Sequence, residues 1–400
     1  MKYAAQYLLS AVQLIQLYDG AVPLAVFLKN HFSQHKKYGS KDRKFIAQLC
    51  YSYFRLGHAG KKFSTDQAIK IAVFCCNDAP EHWASLYEEN WLANWSFNLT
   101  ERISFIQSIF PEFNSQLIFP FNQVLSKDID ATAFSLAQLI QPDLFIRLRP
   151  EKTRKIIAEL VAAKMIFQQV LPTALALPNG TKLDHLIAMD KEAIVQDLSS
   201  QKVGDFFEII NGEWDREQGP ITVWDCCAAS GGKSILAKDI LENIQMTVSD
   251  LRPSILHNLN LRFQRSGITQ YKTFVIDLSK DASATAIELK NKAFDLVICD
   301  APCSGSGTWS RTPEQLYFFK EEQINTFNQL QQKIVSNIIP TVKKGGYLLY
   351  ITCSVFEKEN EAVTQFIQSN SNVVLIEQKV IKGYADKADT MFAALFKRLA

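Results

Sequence analysis

Residues 221–234 read ITVWDCCAASGGKS: an apolar run ending on Asp225, a string of small residues, and the start of a helix-forming stretch. Gly231 and Gly232 permit a tight turn and close approach of the backbone to a ligand. The turn is neither of two common phosphate cradles. Cys227 stands where GxxxxGK[ST] requires its first glycine, and the turn has no GxGxxG. Downstream, strand-like and helix-like runs alternate. KSILAKDILENI (233–244) reads as helix, QMTVSD (245–250) as strand, SILHNLNLRFQRSG (254–267) as helix, and YKTFVID (271–277) and FDLVICDAP (294–302) as strands. A long helical run at 321–342 leads into GGYLLYITCS (345–354), a strand after a glycine turn. The alternation predicts the α/β class, with a mainly parallel sheet covered by helices on both faces. In such sheets ligands bind beyond the carboxyl ends of the strands.

Those ends carry acids. Asp225, Asp250, Asp277 and Asp300 close four successive strands. Packing alone does not account for them, because an unpartnered acid near the top of a sheet is costly. An acid ending the second strand suits a ribose diol, whose hydroxyls donate, so Asp250 is a candidate ribose ligand. Asp277 could take an adenine amine. The pattern points to a nucleoside cofactor.

The chain has 8 cysteines. They form no pair of CxxC motifs, so a structural zinc centre is not expected and no metal is assigned. Cys50, Cys75, Cys76 and the mid-strand Cys299 read as small buried apolar groups. Cys303 in DAPCSGSGT (300–308) and Cys353 in YITCSVFEKENE (350–361) differ, because each follows a strand end. Pro302, Gly305 and Gly307 mark a loop leaving the sheet. EKENE (357–361) reads as a solvated helix start. Two loop thiols beside Asp300 fit covalent nucleophilic catalysis. Methylation at C5 of cytosine makes matching demands. A thiolate must add to C6, an acid must serve N3, and a base must remove the C5 proton. The target base must also be unstacked.

The bulk properties are those of a globular chain: 400 residues, 47% hydrophobic, 21% charged, net charge +2. A nucleic-acid site must therefore be a local patch. The first residues read as an amphipathic helix, neither a signal peptide nor a membrane span, so a reducing, cytoplasmic setting without membrane is expected. Residues 1–125 read as helical, 126–205 as a small α+β unit, and 206–400 as the α/β domain.

VWDCCAASGGKS, DAPCSGSGTWSRTPE, GGYLLYITCSVFEKENE and the upstream VQDLSSQ together resemble the Fmu/Sun (RsmB-like) RNA cytosine-C5 methyltransferases. The resemblance covers residues from about 130 to 400. It implies a Rossmann-like class I methyltransferase fold and S-adenosyl-L-methionine as cofactor. That cofactor would be held by Cys227, Ala228, Ala229, Ser230, Gly231, Gly232 and Lys233, with Asp250, Asp277 and Asp300. It implies that Cys353 is the nucleophile, that Cys303 assists product release, and that Lys233 and Asp300 contact the target base. The family usually has proline at Ser230, an aliphatic residue at Cys226, and asparagine at Arg149. The stretch SKDRKFIAQLCYSYFRLG (40–57) resembles the NusB-like RNA-binding domain attached in part of this family. Lys36, Lys37, Lys41, Arg43, Lys44, Arg55, Lys61 and Lys62 cluster there, with Tyr38, Tyr51 and Tyr53 between them. Phosphate contact with base stacking and a solvated basic face are both open for this cluster. Arg147 and Arg311 are further candidate RNA contacts.

The expected partner is RNA, with 16S ribosomal RNA ahead of transfer RNA, and the expected state is a monomer. A DNA cytosine methyltransferase would lack the TCS cysteine. A small-molecule methyltransferase would not need two cysteines and a basic helical domain. A non-catalytic RNA-binding assembly factor would not need Cys353 and Asp300.

Overall fold

The computed structural model describes residues 3–80, 82–280, 289–290 and 292–399. They group into two compact units. One is Met1–Leu125 with Asp130–Gln141 and Thr308–Glu321; the other is Ser126–Ile129 with Pro142–Gly307 and Glu322–Ala400. The grouping differs from the three segments read from sequence. The α+β stretch packs with the large sheet, and two later segments join the helices.

The first unit is helical. Its main helices are Ala4–Leu17, Leu24–Gln34, Ser40–Arg55, Thr65–Cys76 and Leu99–Ile109. Each buries one apolar stripe at helical spacing, such as Ala4, Leu8, Ala11 and Leu14 in the first. Arg55, expected on a basic face, lies inside at 3% exposure. Its guanidinium donates to the carbonyls of Gln138 (3.2 Å) and Ile140 (3.1 Å) and to Gln141 Oε1 (2.5 Å), which fastens Asp130–Gln141. A buried guanidinium is tolerated when its donors are satisfied in this way. Thr308–Glu321 brings in Trp309, which packs against Phe119 and Phe319. It also brings Glu314, whose Oε1 accepts the Leu24 N–H at 3.1 Å.

The second unit holds two sheets. Strands β1 (Leu144–Leu148), β2 (Gln168–Leu171), β3 (Ala174–Leu177) and β4 (Ala193–Val195) pair antiparallel in the order β2-β3-β1-β4. The larger sheet contains β5 (Ile221–Asp225), β6 (Ile244–Asp250), β7 (Tyr271–Val275), β8 (Phe294–Asp300), β9 (Val342–Thr352), β10 (Val373–Ile381) and β11 (Met391–Arg398), ordered β10-β11-β9-β8-β5-β6-β7. Strands β5 to β9 are parallel, and β10 and β11 are antiparallel. This is a Rossmann-like α/β fold. The strand order reverses between β5 and β8, where such sheets open their ligand crevice.

Period-two alternation puts Val223, Leu296, Ile298, Leu349, Ile351, Ala393 and Leu395 in one core with Phe206, Phe207 and Ile210 from the helix Gly204–Glu213. The opposite face carries Trp224 and Tyr350, both fully buried. The two sheets are joined through Asp239 on the helix Gly232–Leu241. It accepts from Arg147 at 2.7 Å and Arg149 at 2.6 Å. Arg147 is therefore corrected as an RNA contact. Its guanidinium is 5% exposed and also donates to Gln196 at 2.9 Å, because a strand residue facing a helix points inward. Among the described residues no helix is long and apolar enough to cross a membrane.

Candidate active site

The turn after β5 is built by its own sequence. Gly231 sits at φ +79°, a left-handed conformation that glycine adopts without strain. A Cβ there would come within 2.6 Å of Phe263. The turn is fastened on two sides. The Ala229 N–H donates to Asp250 Oδ2 at 3.1 Å, and Arg262 Nη1 donates to Ser230 Oγ at 3.0 Å. Asp250 Oδ1 takes the Arg252 N–H at 3.0 Å, so this carboxylate is fixed at the end of β6. Asp277 is fixed by Ser279, whose N–H (2.9 Å) and hydroxyl (2.5 Å) hold its carboxyl below the usual range.

These groups frame a cavity of about 440 Å³. Cys226, Cys227, Ala229, Asp250, Asp277 and Asp300 line one part, and the apolar Ile276, Leu278, Pro302, Leu330 and Ile334 another. Volume and lining suit a nucleoside, with a slot for a base and acids for a diol. Asp225 is not in the cavity. It is 1% exposed, accepts the Ser234 hydroxyl at 2.6 Å, and is pushed up to about 7 chiefly by burial. Asp225 thus serves the fold beneath the cavity.

Asp300 ends β8 and accepts from Lys233 at 3.0 Å, a lysine that is itself buried. Beyond it the chain turns through Pro302, which lines the cavity, to Cys303. The Cys303 sulfur lies 3.3 Å from that of Cys353, which leaves the end of β9. The hydrogen bond with Cys353, together with burial, pushes the Cys303 thiol well above its ordinary range. Either sulfur can donate in this contact.

A buried polar frame holds the two loops together. Glu359 is fully buried. Its Oε2 accepts the Ser304 N–H at 2.8 Å and Gln331 Nε2 at 3.1 Å, and its Oε1 accepts the Ser354 hydroxyl at 2.8 Å. Burial raises this carboxyl, and the hydrogen bonds offset part of the rise. Asn360 accepts from Thr352 at 2.6 Å and donates to the Ser354 carbonyl at 2.9 Å. Gly307 donates to the Cys353 carbonyl at 2.8 Å, and a Cβ on it would fall 1.9 Å from Thr390 O. EKENE is thus not a solvated helix start, since Glu359 and Asn360 are the struts of the site. The signal was available: the serines of CSGS and TCS need buried acceptors once both loops fold inward.

Residues 215–395 match the family described as 16S rRNA methyltransferase RsmB/F. This domain is of the RsmB/F family. A Synechocystis relative named "Probable ribosomal RNA small subunit methyltransferase B" is 31% identical over 58% of this chain and 51% of its own length. The ribosomal RNA small subunit methyltransferase B of Photorhabdus laumondii is 30% identical over 51% of this chain and 45% of its own. The aligned region thus spans about half the length of these curated relatives. A solved methyltransferase homologue from Pyrococcus horikoshii shares the fold at TM-score 0.57 and 18% identity, over 74% of this chain and 98% of that one.

Within the RsmB/F domain, the structure brings Cys227, Ala229, Asp250, Asp277 and Asp300 to one cavity. It pairs Lys233 with Asp300 and sets Cys303 against Cys353. The remaining basic candidates lie in the helical unit. There Lys41 and Lys44 are exposed, and Arg43 is half-buried with its Nε on the Tyr38 carbonyl at 2.9 Å. Arg311, in the same unit, is half-buried.

Proposed function

We propose that the chain is an S-adenosylmethionine-dependent RNA methyltransferase that forms 5-methylcytosine. Small-subunit ribosomal RNA is the first substrate class and transfer RNA the second. The carrying observation is the 3.3 Å approach of the Cys303 and Cys353 sulfurs at strand ends beside an acid-lined cavity. One cysteine is enough for a nucleophile; two in contact fit addition followed by assisted release. The names of the relatives support the RNA class.

S-adenosylmethionine, when bound, supplies an electrophilic methyl group. Asp250 would hold the ribose diol, Asp277 the adenine edge, and the turn from Cys227 to Lys233 the remainder. Cys353 forms the bond to C6 of cytosine, which makes C5 nucleophilic. Asp300, oriented by Lys233, holds the proton at N3. After C5 is alkylated, a water molecule acting as base takes its proton, the freed electron pair restores the C5–C6 double bond, and Cys353 leaves C6 as a thiolate. Cys303, in contact with Cys353, assists that release. Exposed Lys36, Lys37, Lys41 and Lys44 on the helical unit offer phosphate contacts, and Arg311 is a further candidate there. A monomer acting in the cytoplasm is the setting we propose. The test is bisulfite sequencing of RNA from cells with and without the gene. Loss of one protected cytosine supports the reading and names the RNA; no change at any cytosine overturns it.

A further inference from the structure

Three other thiols converge at the floor of the same cavity. Cys226 and Cys227 follow β5, and Cys299 lies 72 residues beyond Cys227 on the adjacent β8. Their sulfurs all lie within 4.8 Å of one another, and Cys226 and Cys227 are 4.0 Å apart. Cys226 and Cys299 are buried and Cys227 is half-buried, and Cys226 and Cys227 both line the cavity. Thiolates bound about 2.3 Å from a common zinc-like centre stand about 3.8–4.0 Å apart, so Cys226 and Cys227 already have ligand spacing, and the Cys299 sulfur, within 4.8 Å of both, needs only a small inward shift.

We propose that Cys226, Cys227 and Cys299 form a trithiolate site for a divalent thiophilic metal ion, with its open position facing the cavity. Thiolate sulfur selects soft ions such as Zn²⁺ and Cd²⁺ over hard ones. Binding forms three metal–sulfur bonds and releases three thiol protons to solvent. The product carries one net negative charge with a divalent ion and two with a monovalent one, and burial favours the smaller charge. A cavity water can complete the shell, as in zinc sites that keep one position open. Simple filling of space does not explain three sulfurs converging from two neighbouring strand ends where two of them line a cavity that also holds Asp250, Asp277 and Asp300. The proposal rests on thiol geometry and is independent of the reaction proposed above.

The test is titration of the full-length protein with Cd²⁺, read by sulfur-to-metal charge-transfer absorbance in the ultraviolet. One equivalent should bind with three-thiolate intensity, and should still bind to the Cys303→Ala/Cys353→Ala variant. Cys299→Ala and Cys226→Val should each weaken binding by about 100-fold or more, at least the effect known for mere outer-shell partners. Cys227→Ala, which alters a half-exposed position, covers the case in which a buried substitution fails to fold. The proposal is overturned if these three variants bind as the parent does, if binding disappears with Cys303 and Cys353, or if no charge-transfer band forms.

Discussion

Two groups of cysteines sit at one edge of one sheet, and their surroundings make them different reagents. Cys303 and Cys353 leave the sheet on loops braced by Ser304, Ser354, Gln331 and Glu359, with every brace a hydrogen bond of 2.8–3.1 Å. Cys226, Cys227 and Cys299 stay on or beside β5 and β8, and two of the three, Cys226 and Cys299, are buried. Reactivity needs a sulfur that is reachable yet fixed, and polar bracing supplies both. Enclosure in the sheet gives proximity without reach. What separates the groups is the depth at which each stops along its strand.

The largest effect expected from that contrast is at Cys353. Cys353→Ala should lower methyl transfer by on the order of 10⁴-fold, because no sulfur remains to attack C6. Cys303→Ala should instead accumulate a covalent RNA–protein adduct on denaturing gels. If Cys303→Ala turns over freely and Cys353→Ala traps RNA, the roles are reversed.

Asp225 tests the buried side. Its folded carboxyl titrates near 7, above its unfolded value near 3.8, so the folded state binds this proton more tightly. The resulting stability is complete below about pH 4 and is lost as pH rises through about 7. Asp225→Asn should flatten that loss, a difference of up to about 4 kcal/mol between pH 4 and pH 8. Urea unfolding across this range checks it, and parallel curves for the two proteins would refute the assignment.

Glu359→Ala leaves Ser304 N–H, the Ser354 hydroxyl and Gln331 without their acceptor. It should cost about 2–4 kcal/mol of stability. Adduct formation should fall with it even in protein that remains folded, since the cysteine loops lose their register. Glu359→Gln, which keeps one acceptor oxygen, should restore part of both. Cofactor binding measured by calorimetry should change little, and a large change there would show that Glu359 does not act through the loops.

The smallest effect is expected at Cys299. Cys299→Ala removes one buried sulfur at about 1 kcal/mol. Combined with Cys303→Ala, it should still give the covalent adduct. Loss of the adduct would mean that the two cysteine groups are not separate.

Much of the site was legible because its residues lie in short stretches after strands. The alternation from 221 onward predicts the parallel sheet, and the acids Asp250, Asp277 and Asp300 were found from their places at strand ends. The antiparallel pair β10 and β11 was missed. β10 (VVLIEQKVI) is interrupted by Glu377, Gln378 and Lys379, and no following helix marks β11. Arg55 was misplaced because a positive residue among other positive residues reads as surface, and Arg147 because its strand resembles the family's arginine-rich strand. Only the packing reveals the carbonyls and the Asp239 carboxylate that take them inside.

The sequence by itself determined the elements from β5 to β9, their order, the turn at Gly231 and the two loop cysteines, because local propensity and strand-end position are properties of neighbours along the chain. The tertiary structure alone decided which distant residues meet. Glu359 reaches Ser304 across 55 residues, Arg147 reaches Asp239 across 92, and Cys299 joins Cys226 and Cys227. Strand order fixes those meetings. Inserting β8 beside β5, with β6 and β7 on the far side, is a choice made by burying whole faces, and no short stretch of sequence records it.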